Sequence, residues 1–311
     1  MLARTASNLY WIGRLMERAE FTTRLVEATI RLNALTDHGG GDQAWRSALS
    51  VVGAMQAFSD GGESLNPLNA RRYLTLSDTY PGSIRSCISS ARDSARAARA
   101  ALSAEVWEAI NRAWLLLRDR ASPGGAQATL NLLENLKAEI RGFEGALARM
   151  LRSEGCWFVH LGAVMERGDN TARLIDVKYY ILLPPGQEVG GVLDRDQWTT
   201  ILQIVSARRA YRHIYREGLK PWLVADFLIF REELPRSLMA SAGQAAHILG
   251  EFADRSGRQG PADRLARQRL ARMEGLSIVN VVQAGLHEWL HRYIADNAAI
   301  DHAIAQQFRF G

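Results

Sequence analysis

Two stretches of the chain repeat one charged pattern around a Glu-Arg pair. Glu17-Arg18 stands in the string GRLMERAE, and Glu166-Arg167 stands in the string GAVMERGD, 149 residues later. On a helix, the charged residues of the first copy and its leading glycine lie within one arc of about 80°. These residues are Gly13, Glu17, Glu20, Arg24 and Glu27. Paired carboxylates can act as general acid and base, and arginine can bind the carboxylate of a substrate.

The two copies keep their charged residues, and this retention has two interpretations. Exposed ion pairs one turn apart stabilise a helix by only about 0.2–0.5 kcal/mol each, so a solvent-facing stripe should drift. Glu17, Arg18 and Arg24 nevertheless keep their identity in the second copy. A buried structural network and a ligand site both explain this, and both stay open. Either way, we predict that Glu17, Arg24, Glu166 and Arg173 are buried and mutually close.

If the pattern forms a site, Glu17 and Glu166 are its candidate catalytic carboxylates. The candidate residues for binding a substrate or partner are Arg18, Glu20, Arg24, Arg167, Asp169 and Arg173. Gly13 and Gly162 lie on the same arc and would let another helix or a ligand approach the backbone closely.

The same carboxylates do not predict a metal centre. Two helices would supply Glu17 and Glu20 with Glu166 and Asp169. Di-iron bundles add a histidine three residues after a glutamate, which is missing here, and Arg24 with its counterpart would repel a cation. We therefore predict no metal on this face.

A second metal motif is the string HEWLH, which runs from His287 to His291. H-E-x-x-H on a helix normally suggests zinc with a general-base glutamate. Residues 292–297 offer no third ligand, and the segment 136–139, which aligns with the motif in the first half, carries no equivalent. We interpret the motif as coincidental, with zinc on His287 and His291 as the alternative.

The helix after Pro81 carries a row of arginines: Arg85, Arg92, Arg96 and Arg99. A solvated face is the plainer interpretation. The functional one is an anion clamp in which Arg92, Arg96 and Arg99 bind a carboxylate, a phosphate or an acidic partner. Cys87 on the same helix is expected to be a small buried apolar residue.

Nearly every segment has helical periodicity, so the predicted fold class is all-α. Predicted helices cover 7–35, 43–58, 69–76, 81–102, 103–120 and 127–152, and Pro184–Asp196 is a loop. Sequence anchors recur in order at offsets of 149 to 154. We predict a multi-helix bundle in one domain, 1–311, built from two tandem pseudo-two-fold-related repeats, roughly 1–152 and 153–311.

Composition narrows the function class. The chain is 47% hydrophobic and 23% charged, with a net charge of +5. Its arginines are dispersed among acids, which does not favour nucleic acid as a partner. No apolar run is long enough for a membrane span and no signal core is present, so we expect a cytoplasmic protein. Nucleotide-binding and hydrolase signatures are missing, so its own motifs predict no bound ATP or other cofactor.

The motifs together resemble the bacterial alpha-E proteins, a predicted all-helical family defined by an ER motif. The matching strings cover essentially the whole chain: SNLYWIGR at 7–14, MERAE at 16–20, PGSI at 81–84, ER at 166–167, DNTARL at 169–174, KYY at 178–180 and LPRS at 234–237. The resemblance implies a circularly permuted ATP-grasp protein as neighbour or fusion partner, often with a transglutaminase-like peptidase nearby.

Two functional hypotheses follow from that resemblance. In the first, the chain is a helical accessory protein of an ATP-grasp ligase in a peptide- or amide-bond-forming system. It would bind a carboxylate-bearing peptide or amino-acid substrate, or dock the ligase, and ATP would sit on the partner. In the second, it is an enzyme that uses Glu17 or Glu166 as general acid/base. A metal-dependent enzyme is the third alternative, and the sequence also allows a homo-oligomer.

Overall fold

The computed structural model describes residues 1–35, 41–181 and 192–310, and these residues form α-helices without strands. This confirms the predicted all-α fold class. The helices are α1 Ala3–Leu35, α2 Gly41–Val51, α3 Met55–Asp60, α4 Pro67–Leu76, α5 Ile84–Ala97, α6 Ala104–Leu115, α7 Ala126–Ala148, α8 Glu154–Ile181, α9 Val192–Ile204, α10 Arg208–Tyr215, α11 Pro221–Phe230, α12 Leu238–Ser256, α13 Pro261–Glu274, α14 Ile278–Ala284 and α15 Leu286–Gln307. A 3₁₀ turn follows α5 at Arg99–Ala101.

Helices α1 and α8 form the centre of the bundle and pack on each other more extensively than any other pair that the structure describes. Helix α5 packs on α1, and α12 packs on α8. Helix α7 also packs on α1 and carries α6 on it, and α15 packs on α8 and carries α13. This arrangement is what two related halves would produce, and the internal duplication itself stays a prediction.

Local sequence explains where two of these helices begin. We predicted that a helix restarts at Pro81, but α5 begins at Ile84 because Ser83 is its N-cap and accepts from the Ser86 amide. Ser237 caps α12 in the same way, accepting from the Ala240 amide. A serine oxygen at this position satisfies one of the free N–H groups of the first turn.

Some predicted helices were longer than those in the structure. The predicted helix over 43–58 is two helices, α2 and α3, because the chain turns at Gly53 with φ of +66°. The segment 81–102 ends its α-helix at Ala97. Of the predicted loop Pro184–Asp196, residues 184–191 lie outside the described residues, and the rest begins α9.

The buried apolar side chains form one continuous cluster from Ala6 to Ile304. Its members come from both predicted repeats, and Cys87 is fully buried among them, as expected. Among the described residues, no helix combines the length and apolarity that crossing a membrane requires.

The crossing of α1 and α8 depends on two glycines. A Cβ on Gly13 would lie 1.9 Å from the Val159 carbonyl oxygen, and one on Gly162 would lie 2.0 Å from the Tyr10 carbonyl oxygen. Only residues without a side chain allow the two backbones to come this close. The close approach predicted from Gly13 and Gly162 is therefore an approach of each helix to the other.

We predict that Gly13→Ala destabilises the protein by about 3 kcal/mol or more, because the added methyl group meets a backbone carbonyl that cannot turn away. Urea unfolding measures the free energy change. Gly250→Ala is the matched control, since Gly250 lies inside α12 with open space around it. That variant should gain about 0.5–1 kcal/mol. Equal effects of the two substitutions would contradict the tight crossing.

Candidate functional site

The close crossing lets α1 and α8 exchange their Glu-Arg pairs. Arg18 of α1 binds Glu166 of α8 through two hydrogen bonds, Nε to Oε1 at 2.6 Å and Nη2 to Oε2 at 2.9 Å. In return, Arg167 of α8 donates Nη2 to Oε2 of Glu17 of α1 at 2.6 Å. Each ER motif thus neutralises the other, and both glutamates are buried, with 4% and 2% of their surface exposed.

Each buried glutamate also binds a second arginine. Arg236, just before α12, donates Nη1 to Oε1 of Glu17 at 2.5 Å and also binds Glu20. Arg14 donates Nε to Oε2 of Glu166 at 2.8 Å. A buried carboxylate with two guanidiniums is satisfied on both oxygens, which offsets much of the cost of removing it from water.

Sequence reasoning missed Arg14 and Arg236. Arg14 stands one turn before Arg18, so its presence on the same helix face was a readable signal. Arg236 lies 219 residues from Glu17, and only its position next to Ser237, the N-cap of α12, distinguishes it from other arginines in the sequence. At the offsets of the predicted repeats, the counterparts of these two arginines are Ala163 and Gly82. The two second arginines are therefore not counterparts: Glu166 receives its second arginine from α1, and Glu17 receives its own from the segment before α12.

The arginines hold both central glutamates in the ionised form. Burial alone would raise the pKa of Glu17, but the charges of Arg167 and Arg236 outweigh it and lower the pKa to about 2. At Glu166, burial is likewise outweighed by Arg18 and Arg14, which lower the pKa. A carboxylate held this firmly as an anion is poorly matched to proton transfer near pH 7. The geometry favours an electrostatic role for Glu17 and Glu166.

The outer charged residues of the two motifs are more open. Arg24 donates Nε to Oε1 of Glu20 at 2.8 Å and Nη1 to the Ser206 hydroxyl at 2.5 Å, so it joins the network through Glu20. Arg173 donates Nε to Oδ2 of Asp169 at 2.7 Å, with 41% of its side chain exposed. The predicted burial of Arg173 is wrong, because its partner Asp169 lies on its own helix near the surface rather than across the crossing.

A cavity of about 250 Å³ opens beside one half of this network, between α1, α7 and α8. Its polar lining residues are Glu17, Glu20, Glu144, His160, Arg167 and Gln244. One oxygen from each of Glu17, Glu20 and Glu144 lies within 4.8 Å of the other two. Glu144 was not among the predicted residues, and it comes from α7, which no spacing rule connects to the ER motif.

Three groups in this cavity have unusual electrostatics. Glu144 is an exposed residue, but partial removal of its carboxyl from water raises its pKa, and the negative charges of Glu20 and Glu17 raise it further. Burial, followed by the charge of Arg167, lowers the pKa of His160. The Nε of Arg167 is buried and has no hydrogen-bond partner among the described residues. The cavity therefore presents the Glu144 carboxylate, which has no ion-pair partner among the described residues, and the guanidinium of Arg167.

A larger cavity of about 790 Å³ lies between α3, α4 and α5. Two ion pairs line it, Arg72 with Glu63 and Arg85 with Asp78, and Asp60 accepts a hydrogen bond from Gln56. It contains none of the ER residues, so we place the candidate site at the smaller cavity.

The residues of the predicted anion clamp do not line the cavity beside the ER residues. The Arg92 guanidinium stacks on Trp114, 4.0 Å from the ring centre, and donates Nε to Asn111 at 2.8 Å. Arg96 lies 3.5 Å from Asp93, and Arg99 faces the Trp107 ring. These contacts give the row a role in covering the helix α6.

The H-E-x-x-H motif meets a residue that the sequence did not connect with it. His287 and His291 lie in the first turns of α15, and Asp176 of α8 reaches both imidazoles. Asp176 is the last acidic residue of the charged pattern in the second copy, so this pattern contacts the H-E-x-x-H motif through Asp176.

Because Glu17 and Glu166 have lowered pKa values in the folded protein, the unfolded protein takes up protons first as the pH falls. We predict that stability is full above about pH 5 and falls towards pH 2, with Glu17 contributing on the order of 3 kcal/mol. Urea unfolding at several pH values measures this. In Glu17→Gln, the loss between pH 5 and pH 2 should be smaller than in the wild type.

The control is Glu139→Gln, which removes a glutamate of α7 whose partner Arg112 is half exposed. Its ion pair contributes at most about 1 kcal/mol, so the variant should follow the wild-type curve. A Glu17→Gln curve parallel to the wild type would contradict the assignment of a buried, ionised Glu17.

Comparison with known proteins identifies the family. A family named Alpha-E, described as a predicted alpha-helical domain with a conserved ER motif, matches residues 1–308. Neither a curated protein nor a solved structure matches the chain. The match covers essentially the whole sequence, and the crossed pairs of Glu17-Arg18 and Glu166-Arg167 are the two ER sequences of this protein. The chain belongs to the Alpha-E family.

Proposed function

We propose that this protein is the accessory partner of a circularly permuted ATP-grasp ligase and that it holds an amino-acid or peptide substrate in the cavity beside Glu17. The ligase rests on the family resemblance. The substrate class rests on one observation: the Glu144 carboxylate, which forms no ion pair with another described residue, and the Arg167 guanidinium both line this cavity.

The cavity fits a ligand with both an amine and a carboxylate. An ammonium group would donate hydrogen bonds to Glu144 and Glu20, where a cation removes the repulsion that raises the pKa of Glu144. A carboxylate would lie against the guanidinium of Arg167, which lines the cavity. The volume of about 250 Å³ suits one amino-acid unit or the end of a peptide. Carboxylate binding, first predicted for several arginines of the two motifs, narrows to Arg167, because Arg18, Arg24 and Arg173 do not line this cavity.

This arrangement complements ATP-grasp chemistry. The ligase would activate a carboxylate with ATP as an acyl phosphate and release ADP. The ammonium held here would give one proton to Glu144, and the resulting amine would attack the acyl carbon, forming the amide and expelling phosphate. The alternative of a stand-alone enzyme moves to Glu144, because its pKa is raised, whereas the pKa values of Glu17 and Glu166 are lowered.

We predict that the purified protein binds amino acids or dipeptides with a free amine and that N-acetylation of the same compounds abolishes binding. Glu144→Gln should weaken binding about 10- to 100-fold, since a hydrogen bond to a charged group contributes about 1.5–3 kcal/mol. Isothermal titration with free, N-acetylated and C-amidated forms of each compound measures both effects. Glu139→Gln on the same helix is the control and should bind as the wild type does.

Equal binding of free and N-acetylated compounds would contradict amine recognition. The ligase role has its own test, the yield of amide product from an ATP-grasp protein of the same genome. Adding this chain should raise the yield, and adding Glu144→Gln should not. If the wild-type chain neither co-purifies with that protein nor changes the yield, the partner role is wrong.

A further inference from the structure

Three potential metal ligands from two helices meet at the start of α15. His287 and His291 stand one turn apart, with ring centres separated by 4.2 Å. Asp176 of α8 places Oδ1 2.5 Å from Nδ1 of His287 and Oδ2 3.3 Å from Nε2 of His291. One potential ligand atom from each residue lies within 4.8 Å of the other two.

These distances are close to those of a tetrahedral metal site. Bonds of about 2.0–2.2 Å from Zn²⁺ to nitrogen or oxygen set neighbouring ligand atoms roughly 3.3 Å apart. Oδ2 of Asp176 already lies at this distance from Nε2 of His291, and the ligand atoms of all three residues lie within 4.8 Å of one another, so small side-chain rotations would bring them around one ion. Two imidazoles and one carboxylate are a ligand set that Zn²⁺ accepts.

Exposure leaves room for a fourth ligand. The side chain of His291 is 60% exposed and that of Asp176 is 17% exposed, so the group opens to solvent on the α15 side. Water can complete the coordination there, as it does in sites with three protein ligands.

The position of Glu288 separates this group from a zinc peptidase. A carboxylate oxygen of Glu288 occupies the space beside Gly285, where a Cβ would otherwise be, at the start of α15. There the negative charge faces the positive end of the helix. The glutamate that would act as general base in a peptidase is thus engaged at the helix start, which favours a metal that joins helices.

The first half of the chain has an ion pair at the corresponding place. Lys137 of α7 donates Nζ to Oε2 of Glu27 of α1 at 2.7 Å. Glu27 stands 149 residues before Asp176, and Lys137 stands 150 residues before His287. An ammonium group cannot bind a metal, whereas an imidazole can. The second half therefore replaces an ion pair between helices with a group that can coordinate.

We propose that Asp176, His287 and His291 bind one Zn²⁺ ion, which ties α15 to α8. This site is separate from the cavity at Glu144, so it stands or falls independently of the proposed function.

The test is a Zn²⁺ titration of the full chain, without an added histidine tag, in competition with a chromophoric chelator. The wild type should bind one Zn²⁺ per chain at micromolar concentration or below, and its melting temperature should rise with Zn²⁺. His291→Ala, an exposed change, should weaken binding more than about 100-fold, since even residues that only support a ligand contribute 10- to 100-fold. His302→Ala on the same helix is the control and should bind as the wild type does.

The variant Asp176→Asn distinguishes a three-ligand site from one formed by the two surface histidines alone. In a three-ligand site, this variant should bind Zn²⁺ at least tenfold more weakly than the wild type. Substituting Co²⁺ for Zn²⁺ gives a spectroscopic readout, because a four-coordinate ion absorbs strongly in visible light. The proposal is overturned if the wild type does not bind Zn²⁺, or if either His291→Ala or Asp176→Asn binds Zn²⁺ as the wild type does.

Discussion

The structure depends on the exchange of charged pairs where α1 crosses α8. Two buried carboxylates, Glu17 and Glu166, each accept from an arginine of the opposite helix. Removing one partner from such a pair typically costs about 3–5 kcal/mol, because the remaining charge is left in a medium that solvates it poorly. The exchange needs the helices in near contact, and Gly13 with Gly162 provides that distance. Glycines and ion pairs are thus two parts of one constraint.

The same constraint shapes the candidate site. Arg167 donates Nη2 to Glu17, and its side chain also lines the cavity. Glu20 is held by Arg236 and Arg24, while Glu144 forms no ion pair with another residue that the structure describes. A structural network and a ligand site were competing interpretations of the charged stripe. In this protein they share residues, because the buried network orients the groups that face the cavity.

Repetition and spacing were enough to single out two helices. The repeated Glu-Arg pairs and glycines pointed to α1 and α8, although they did not show that these two helices contact each other, and the helix start predicted at Pro81 lies three residues before α5 begins. These are local signals, each written within a few turns of one helix.

The site residues that the sequence analysis did not identify could not be predicted in the same way. Arg236, Glu144 and Asp176 act on residues that are more than 100 positions away in the chain, and one sequence does not reveal which distant helices pack together. The burial of Arg173 was wrongly predicted for the same reason. Its sequence context equals that of Arg24, but Glu20 has Arg236 beside it, whereas the Arg173 partner Asp169 lies nearer the surface.

A double-mutant cycle between Glu17 and Arg167 tests the exchange most directly. The variants Glu17→Gln, Arg167→Gln and the double variant, unfolded in urea, give the coupling energy between the two side chains. The account predicts coupling of about 1–3 kcal/mol for this pair across the helices, and less than about 0.5 kcal/mol for Glu17 with its neighbour Arg18, which binds Glu166. Strong coupling of Glu17 with Arg18, together with none with Arg167, would contradict it.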